Sequence, residues 1–312
     1  MWLDSGRSMA RKVSVIVNAG SGLGNDDALL ERLRALFDAA GADADVRLAR
    51  GGAEISAAVE AALARQPDVI VAGGGDGTVS SVASALAGKP VALGVLALGT
   101  LNHFARDAGV PADLEGAVRT IVDGQRVQVD IAEVNGRTFI NNSGLGLYPD
   151  IVRIRERQQK HLGRGKWPAF VWAALAVLRR YPFMHVRLLV DGDERARRTP
   201  FVFVGNNEYR MDGFAIGERS ELDRGRLSLY VAQRPGRLRL LQLALRALTG
   251  RLRQARDFDA LGATEIVIES RRKRLHVSTD GEVSTMTPPL RYRIRPRALV
   301  VMLPDPARQP ES

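Results

Sequence analysis

The stretch Gly73-Gly74-Gly75-Asp76-Gly77-Thr78 stands directly after the apolar run Val69-Ile70-Val71 and before a helix-like segment. Consecutive glycines let a backbone approach a ligand closely and take positive φ where needed. Their amides, with the N-terminus of a following helix, make a cradle for an anion. A carboxylate inside a phosphate cradle repels unless something positive mediates. Asp76 therefore points to a nearby Mg²⁺, or to a hydrogen bond with ribose or loop amides. The plain structural alternative is a tight strand–helix turn with Asp76 as N-cap. Two more loops carry related chemistry. Asn18-Ala19-Gly20-Ser21-Gly22 offers small residues and amides to a phosphate, although it reads equally well as an ordinary turn, and Gly99-Thr100-Leu101-Asn102 follows another apolar run. Three glycine-bearing loops ending three strands on one sheet edge are far more specific than any one of them. Together they argue for a nucleotide polyphosphate.

The elements that must position these loops alternate in the first half of the chain. Residues 13–18, 46–48, 68–75 and 91–98 read as short apolar strands, and residues 26–41, 53–64 and 78–86 as helices, the first closing at Gly41. Such alternation implies βαβ units and a mainly parallel sheet. An open sheet of this kind binds ligands beyond the carboxyl ends of its strands. From about residue 125 the rhythm changes. Residues 127–134 and 137–142 flank Asn135-Gly136, a dipeptide suited to a type I′ hairpin. Further strands are expected at 186–190, 200–204, 227–231, 265–269, 275–278, 290–294 and 299–303. The rear half therefore reads as an antiparallel β domain, interrupted by helical insertions near 150–180 and 237–254. The expected division is a disordered extension over 1–11, a nucleotide-binding α/β domain over 12–130, a β domain over 131–304 and a disordered tail over 305–312.

Composition excludes several classes. Of the 312 residues, 45% are hydrophobic and 26% charged, an ordinary globular balance that rules out disorder of the whole chain. Apolar runs fall short of the ~20 residues of a membrane-crossing helix, and the first residues contain no signal-peptide h-region, so a cytoplasmic protein is expected. With no Cys, thiolate nucleophiles and Cys-ligated metals are excluded, and the four scattered His residues show no metal-ligand spacing. Lys plus Arg number 45 against 35 Asp plus Glu, and only five of the cations are Lys. A net charge of +10 suits nucleic acid, anionic membrane or phosphorylated ligands.

GGGDGT, the NAGSG loop at residues 18–22, GTLNHFAR at 99–106, NNSGLGLYP at 141–149 and the late Asp280-Gly281-Glu282 together resemble the diacylglycerol kinase/sphingosine kinase-type lipid kinases, in their soluble bacterial branch. The likeness runs from about residue 12 to 303. GGDGT is shared with NAD kinases, whereas GTLN and DGE narrow the match. The resemblance implies an NAD-kinase-like N-terminal α/β domain with a parallel sheet, a C-terminal, mainly antiparallel β-sandwich domain, and ATP with Mg²⁺. By position, Asn18, Gly20, Ser21 and Gly22 would line the nucleotide site. Gly74, Gly75, Asp76, Gly77 and Thr78 would hold phosphates, with Asp76 toward the catalytic Mg²⁺, and Thr100 and Asn102 would contact ATP. Glu282, assisted by Asp280, would accept the proton of the lipid hydroxyl; without the resemblance, 278–282 is simply a hairpin turn. Phosphoryl transfer rests on positioning and charge neutralisation with a carboxylate to receive that proton, which agrees with the assignment.

Departures from the family pattern are informative. Ala19 replaces a proline, and Ser80-Ser81 replaces an Asn-Glu pair. Where relatives carry an Asp-Asp-Gly turn that binds a structural Mg²⁺, this chain reads Leu222-Asp223-Arg224-Gly225, so that metal site is expected to be lost, with the Arg224 guanidinium replacing the ion's charge. Eight cations and one acid between residues 151 and 180 flank an apolar stretch with Trp167 and Trp172, and Arg and Leu interleave over 237–254. Basic amphipathic segments suit anionic membrane surfaces, the alternative being apolar faces in the core with a solvated basic exterior, which is the favoured reading for 237–254. The resulting expectation is an ATP-dependent lipid kinase acting on a diacylglycerol-like or sphingoid lipid, peripheral at the inner membrane face. Its rivals are an NAD kinase and a catalytically inactive lipid- or nucleotide-binding protein. Nucleic acid is not an expected partner, because no aromatic stacking platform is evident.

Overall fold

A computed structural model describes residues 10–19, 26–146, 184–212, 215–219, 221–232 and 258–305. The chain divides into two units: one runs up to Val129 and resumes at Ala298, and the other is Asp130–Arg297. The division thus falls beside the expected 130/131 boundary, but the second unit stops at Arg297 rather than 304, because the last strand returns to the first unit. Arg11 and Asp305 fall within the expected terminal extensions, yet each is engaged. Arg11 donates to Ile121 O at 2.9 Å, and Asp305 accepts from Gln125 Nε2 at 2.7 Å. The expected helical insertions lie outside the described residues.

The first unit alternates as its sequence requires: β1 (Lys12–Asn18), α1 (Asp26–Ala39), β2 (Asp43–Ala49), α2 (Gly51–Leu63), β3 (Val69–Gly74), α3 (Asp76–Leu86), β4 (Ala92–Ala97), α4 (His103–Asp107) and α5 (Leu114–Asp123). Strand order is β2-β1-β3-β4, all parallel, and the C-terminal part of Leu290–Leu303 (β18) adds beside β4 through Val301↔Leu93. The near-continuous apolar burial of β1, β3 and β4 is what a parallel sheet covered on both faces demands.

The second unit is a sandwich of two antiparallel sheets. Gln125–Val134 (β5) leads into it and pairs with Arg137–Phe139 (β6) across Asn135-Gly136, both at positive φ (47° and 81°), as a type I′ turn requires. The hairpin is shorter than expected: β6 ends at Phe139, and Asn142–Gly146 (β7) already belongs to the opposite sheet. Then come β8 (Met184–Val190), β9 (Asp193–Thr199), β10 (Phe201–Asn206), β11 (Tyr209–Asp212), β12 (Ala215–Arg219), β13 (Leu227–Ala232), β14 (Phe258–Ala263), β15 (Glu265–Ser270), β16 (Leu275–Thr279) and β17 (Glu282–Met286). One sheet runs β18-β15-β8-β9, with β5 on the other side of β18, and the second runs β14-β13-β10-β7-β16-β17. Strands 290–294 and 299–303, read separately from the sequence, are one strand with Arg297 at φ 52°. Leu145, Val204, Leu229 and Val277 of one sheet share a buried core with Val186, Ile266, Ile268 and Tyr292 of the other. Burial pushes the Tyr292 phenol well above its ordinary range despite its hydrogen bond with the Ser143 hydroxyl, so it is a core hydroxyl rather than an acid–base group.

Asp130 closes this unit. It is buried (1% exposed), and its carboxylate accepts from Gly225 N at 2.6 Å and from Arg297 N at 2.9 Å, tying the unit's first residue to its last and to the 222–225 turn. Hydrogen bonds to a charged group contribute about 1.5–3 kcal/mol each. Asp130→Ala is therefore expected to lower stability by about 3 kcal/mol, read as a shift in urea midpoint, and Asp130→Asn by less because the amide oxygen still accepts one N–H.

Candidate functional site

In the first unit the loops at 73–78 and 99–102 lie together at one sheet edge, and glycine lets them touch. A Cβ on Gly73 would lie 3.2 Å from Val17, next to Asn18, and one on Gly99 would lie 2.4 Å from the Gly75 Cα. The 73–75 and 99–102 backbones are thus in direct contact, closer than any side chain permits. Gly75, not Asp76, is the N-cap of α3, and Thr78 N and Val79 N donate to its carbonyl at 3.0 and 3.1 Å. This corrects the N-cap alternative for Asp76: the acid is the first helical residue. There a carboxylate is favoured by the helix dipole, and the leading N–H groups have no partner within the helix.

Asp76 is half-buried, and its Oδ1 accepts from Phe104 N at 3.3 Å, so it also fastens the start of α4. Thr78 is buried under Gly74, where a Cβ would meet its hydroxyl at 2.5 Å; it packs the loop from beneath. Thr100 is exposed. Asn102, at φ 47°, accepts from Gly99 N at 3.0 Å and donates to Gly99 O at 2.8 Å and Ala97 O at 3.2 Å. Its amide is spent on closing its own loop, which makes it a shaper of the cradle rather than a free ligand contact. Gly20, Ser21 and Gly22 lie outside the described residues, while Ala19 N donates to Ala49 O at 2.8 Å and anchors the preceding end of that loop.

Does this rim fit a polyphosphate and its metal? The Gly75–Gly99 contact leaves a strip of backbone free of side chains, flanked by the first amides of an eleven-residue helix, which suits phosphate oxygens. Among the described residues no group of three or more His, Asp or Glu could hold a metal unaided. A Mg²⁺ beside Asp76 would complete its shell from phosphates and water, as this ion commonly does.

The second unit holds the acidic turn. Asp280 and Gly281, at φ 48° and 87°, join β16 to β17. The Asp280 carboxylate accepts from Ile140 N and Asn141 N at 2.8 Å and from Asn142 N at 3.0 Å, while Asp280 N donates to Asn142 O at 2.8 Å. Both its oxygens are thus engaged with backbone, and the expected assistance to Glu282 is positional: Asp280 locks the turn. The crossover it grips is held from another side by Arg219, itself 3% exposed. That guanidinium donates to Ile140 O at 2.6 Å and Asn141 Oδ1 at 2.8 Å and lies over the Tyr209 ring at 5.3 Å. Asn206 Nδ2 adds bonds to Ile140 O at 2.9 Å and Asp130 O at 3.0 Å.

Glu282 is exposed and reaches Arg137 Nη2 at 2.6 Å. Arg137 and Arg219 were missed in the sequence. Each acts across a long gap, 145 residues from Arg137 to Glu282 and 79 from Arg219 to Ile140, and nothing in one dimension announces such pairs. At the variant turn, Arg224 donates from Nε and Nη2 to the two Glu221 oxygens at 2.5 and 2.8 Å and from Nη1 to Glu208 at 3.4 Å. The guanidinium hydrogen bond holds the Glu221 carboxyl below its ordinary range.

Comparison with known proteins agrees with this arrangement. Residues 12–134 match the diacylglycerol kinase catalytic domain, and residues 152–303 match the YegS C-terminal NAD kinase beta sandwich-like domain. A protein assigned as a YegS-like lipid kinase of Klebsiella pneumoniae (strain 342) is 40% identical over 131 residues, 41% of this chain and 43% of that relative, so the matched stretch spans less than half of its length. The diacylglycerol kinase of Bacillus subtilis (strain 168) is 26% identical over 305 residues, covering 96% of this chain and 99% of the relative. A crystal structure from Bacillus anthracis str. Sterne, assigned to the diacylglycerol kinases, superposes with a TM-score of 0.72 at 25% identity over 96% of this chain and 99% of that one.

Removing the Asp280 carboxylate would strand three backbone donors at once. Asp280→Ala is expected to raise hydrogen exchange at the Ile140, Asn141 and Asn142 amides by at least 100-fold, because each loses a charge-assisted bond. Unchanged protection of those amides would contradict the positional role.

Proposed function

We propose, for a chain that belongs to the diacylglycerol-kinase-like lipid kinases, that it transfers the terminal phosphoryl group of ATP to a hydroxyl of a diacylglycerol-like or sphingoid lipid. The observation that carries this reading is the side-chain-free rim where Gly75 and Gly99 meet, with Asp76 at its edge. ATP would bring the transferable group, and Mg²⁺ would neutralise its charge. Asp76 would hold that cation at its carboxylate, Thr100 would meet the nucleotide from an exposed position, and the leading amides of α3 would bind phosphate oxygens. Glu282 would take the proton of the lipid hydroxyl as its oxygen forms the bond to phosphorus. Arg137 orients Glu282 through their ion pair, and Asp280 orients it through the turn.

Incubation of the protein with radiolabelled ATP, Mg²⁺ and either a total lipid extract, diacylglycerol or NAD tests the reading. Label is expected in a lipid monophosphate and not in NADP. Glu282→Gln is expected to lower kcat by about 10²–10⁴-fold, the usual worth of acid–base help, and Asp76→Asn to abolish turnover, each with an unchanged far-ultraviolet spectrum. Full activity in both variants would overturn the roles given to Asp76 and Glu282, and absence of turnover by the wild-type protein with every acceptor would leave only the lipid- or nucleotide-binding alternative.

The same reading extends to the 222–225 turn, where Arg224 substitutes for a structural cation by bridging Glu221 and Glu208. Without nucleotide, the melting temperature of the wild-type protein is expected to be indifferent to millimolar Mg²⁺. Arg224→Asp would place a new carboxylate among Glu208, Glu221 and Asp223, lowering the melting temperature until Mg²⁺ is added. A Mg²⁺ response in the wild-type protein would rule the substitution out.

A further inference from the structure

Five arginines of the second unit are held by glutamates. Arg187 pairs with Glu194 and Glu269, Arg137 with Glu282, Arg224 with Glu221 and Glu208, and Arg293 and Arg295 with Glu133. The turn between β15 and β16 is different. Arg271, Arg272, Lys273 and Arg274 are four consecutive cations, all exposed, and among the described residues no carboxylate pairs with any of them. The turn is built rather than loose: Arg272 N donates to Ser270 Oγ at 3.3 Å, and Leu275 is buried immediately after it. The nearest acid in sequence, Glu269, lies 3.5 Å from Arg187.

Register shows what else gathers at this end of the sandwich. Ser270 lies opposite Val186, which lies opposite Arg197; the next pairs are His185↔Arg198 and Met184↔Thr199, and Leu275 lies opposite Met286. The segments that meet here, 184–186, 197–200, 270–276 and 284–289, contain six Lys or Arg, two His, and neither Asp nor Glu. They also contain no Phe, Trp or Tyr. A Cβ on Gly146 would come within 2.7 Å of Met184 and 2.3 Å of Pro200 O, so the chain departs at Gly146 and re-enters at Met184 from this same end.

We infer that this end of the second unit, centred on Arg271–Arg274, is a docking surface for a bilayer rich in anionic lipid. The inference shares with the proposed function the premise that the acceptor resides in a membrane. An acid-free cationic tip fits a surface of negative headgroups, at which each Lys or Arg strengthens partitioning roughly fivefold. A single-stranded polynucleotide would instead call for aromatic stacking, which this end lacks. Leu275–Thr279 separates the turn from Asp280-Gly281-Glu282, so the surface is distinct from the acidic turn and its charges can be removed without touching it.

The test is sedimentation of the full-length protein with sucrose-loaded vesicles of phosphatidylcholine alone or doped with phosphatidylglycerol. The wild-type protein is expected to bind only the doped vesicles and to release as salt shortens the screening length. The fourfold variant Arg271→Gln, Arg272→Gln, Lys273→Gln, Arg274→Gln is expected to lose at least 100-fold in partitioning, while a charge-preserving Arg271→Lys, Arg272→Lys, Arg274→Lys variant retains it. Turnover of diacylglycerol dispersed in detergent micelles should be the same for all three proteins. A fourfold variant within about threefold of wild type, equal binding to neutral vesicles, loss in the charge-preserving variant, or loss of DNA-oligomer binding with vesicle binding intact would each overturn the inference. Vesicle binding needs no catalysis, so an inactive protein that still binds would sink the kinase reading and leave this one standing.

Discussion

Three backbone amides in a row, at Ile140, Asn141 and Asn142, point at one carboxylate. This is where the chain leaves one sheet of the second unit for the other, and a crossover between sheets has no ladder of its own to satisfy its polar groups. Asp280 supplies the acceptor, while Arg219 and Asn206 supply donors for the carbonyl side. The consequences spread outward: β7 starts in register, the β16–β17 turn is pinned at its tip, and Glu282 is placed on a fixed hairpin beside Arg137. A pair of acids that looks equivalent in sequence thereby separates into one that holds the turn and one left exposed beside Arg137.

The first unit solves a different problem. The proposed phosphate site is made of backbone, which needs loops that approach within contact distance, and only glycine lets residues 75 and 99 do so. The residues around them spend their polarity on keeping that shape: Asn102 closes its own loop, Thr78 fills the space under Gly74, and Asp76 ties the start of the short helix that follows. In the proposed reading, specificity for a polyanion would come from geometry and amides, and the sole acid at the head of α3 would meet a cation.

Charge in the second unit is organised by exclusion. Arg137, Arg187, Arg293 and Arg295 meet glutamates on strands beside them, which offsets part of the repulsion within a strongly basic chain. At Arg224 the same chemistry bridges two acids at a turn. Against that background an unpaired group of four cations at one end of the sandwich marks a surface whose partner is outside the molecule.

The sequence by itself determined the alternation of the first unit, the three glycine loops, the type I′ turn at Asn135-Gly136 and the change to antiparallel strands, because periodicity and turn chemistry are local. It did not mark β9, whose DERARRT lacks apolar alternation and forms a strand by pairing with β8, nor β17, which is folded back on β16 by the turn at Asp280. Tertiary structure alone decided that β18 serves both units, that Asn102 and Asp280 spend their polar atoms on backbone, that Arg137 meets Glu282 and that Arg219 holds the Ile140–Asn141 crossover. Each of those outcomes depends on groups far apart along the chain, whose meeting is fixed by packing and by the need of buried N–H and C=O groups to find partners, and that need has no signature in the residues on either side.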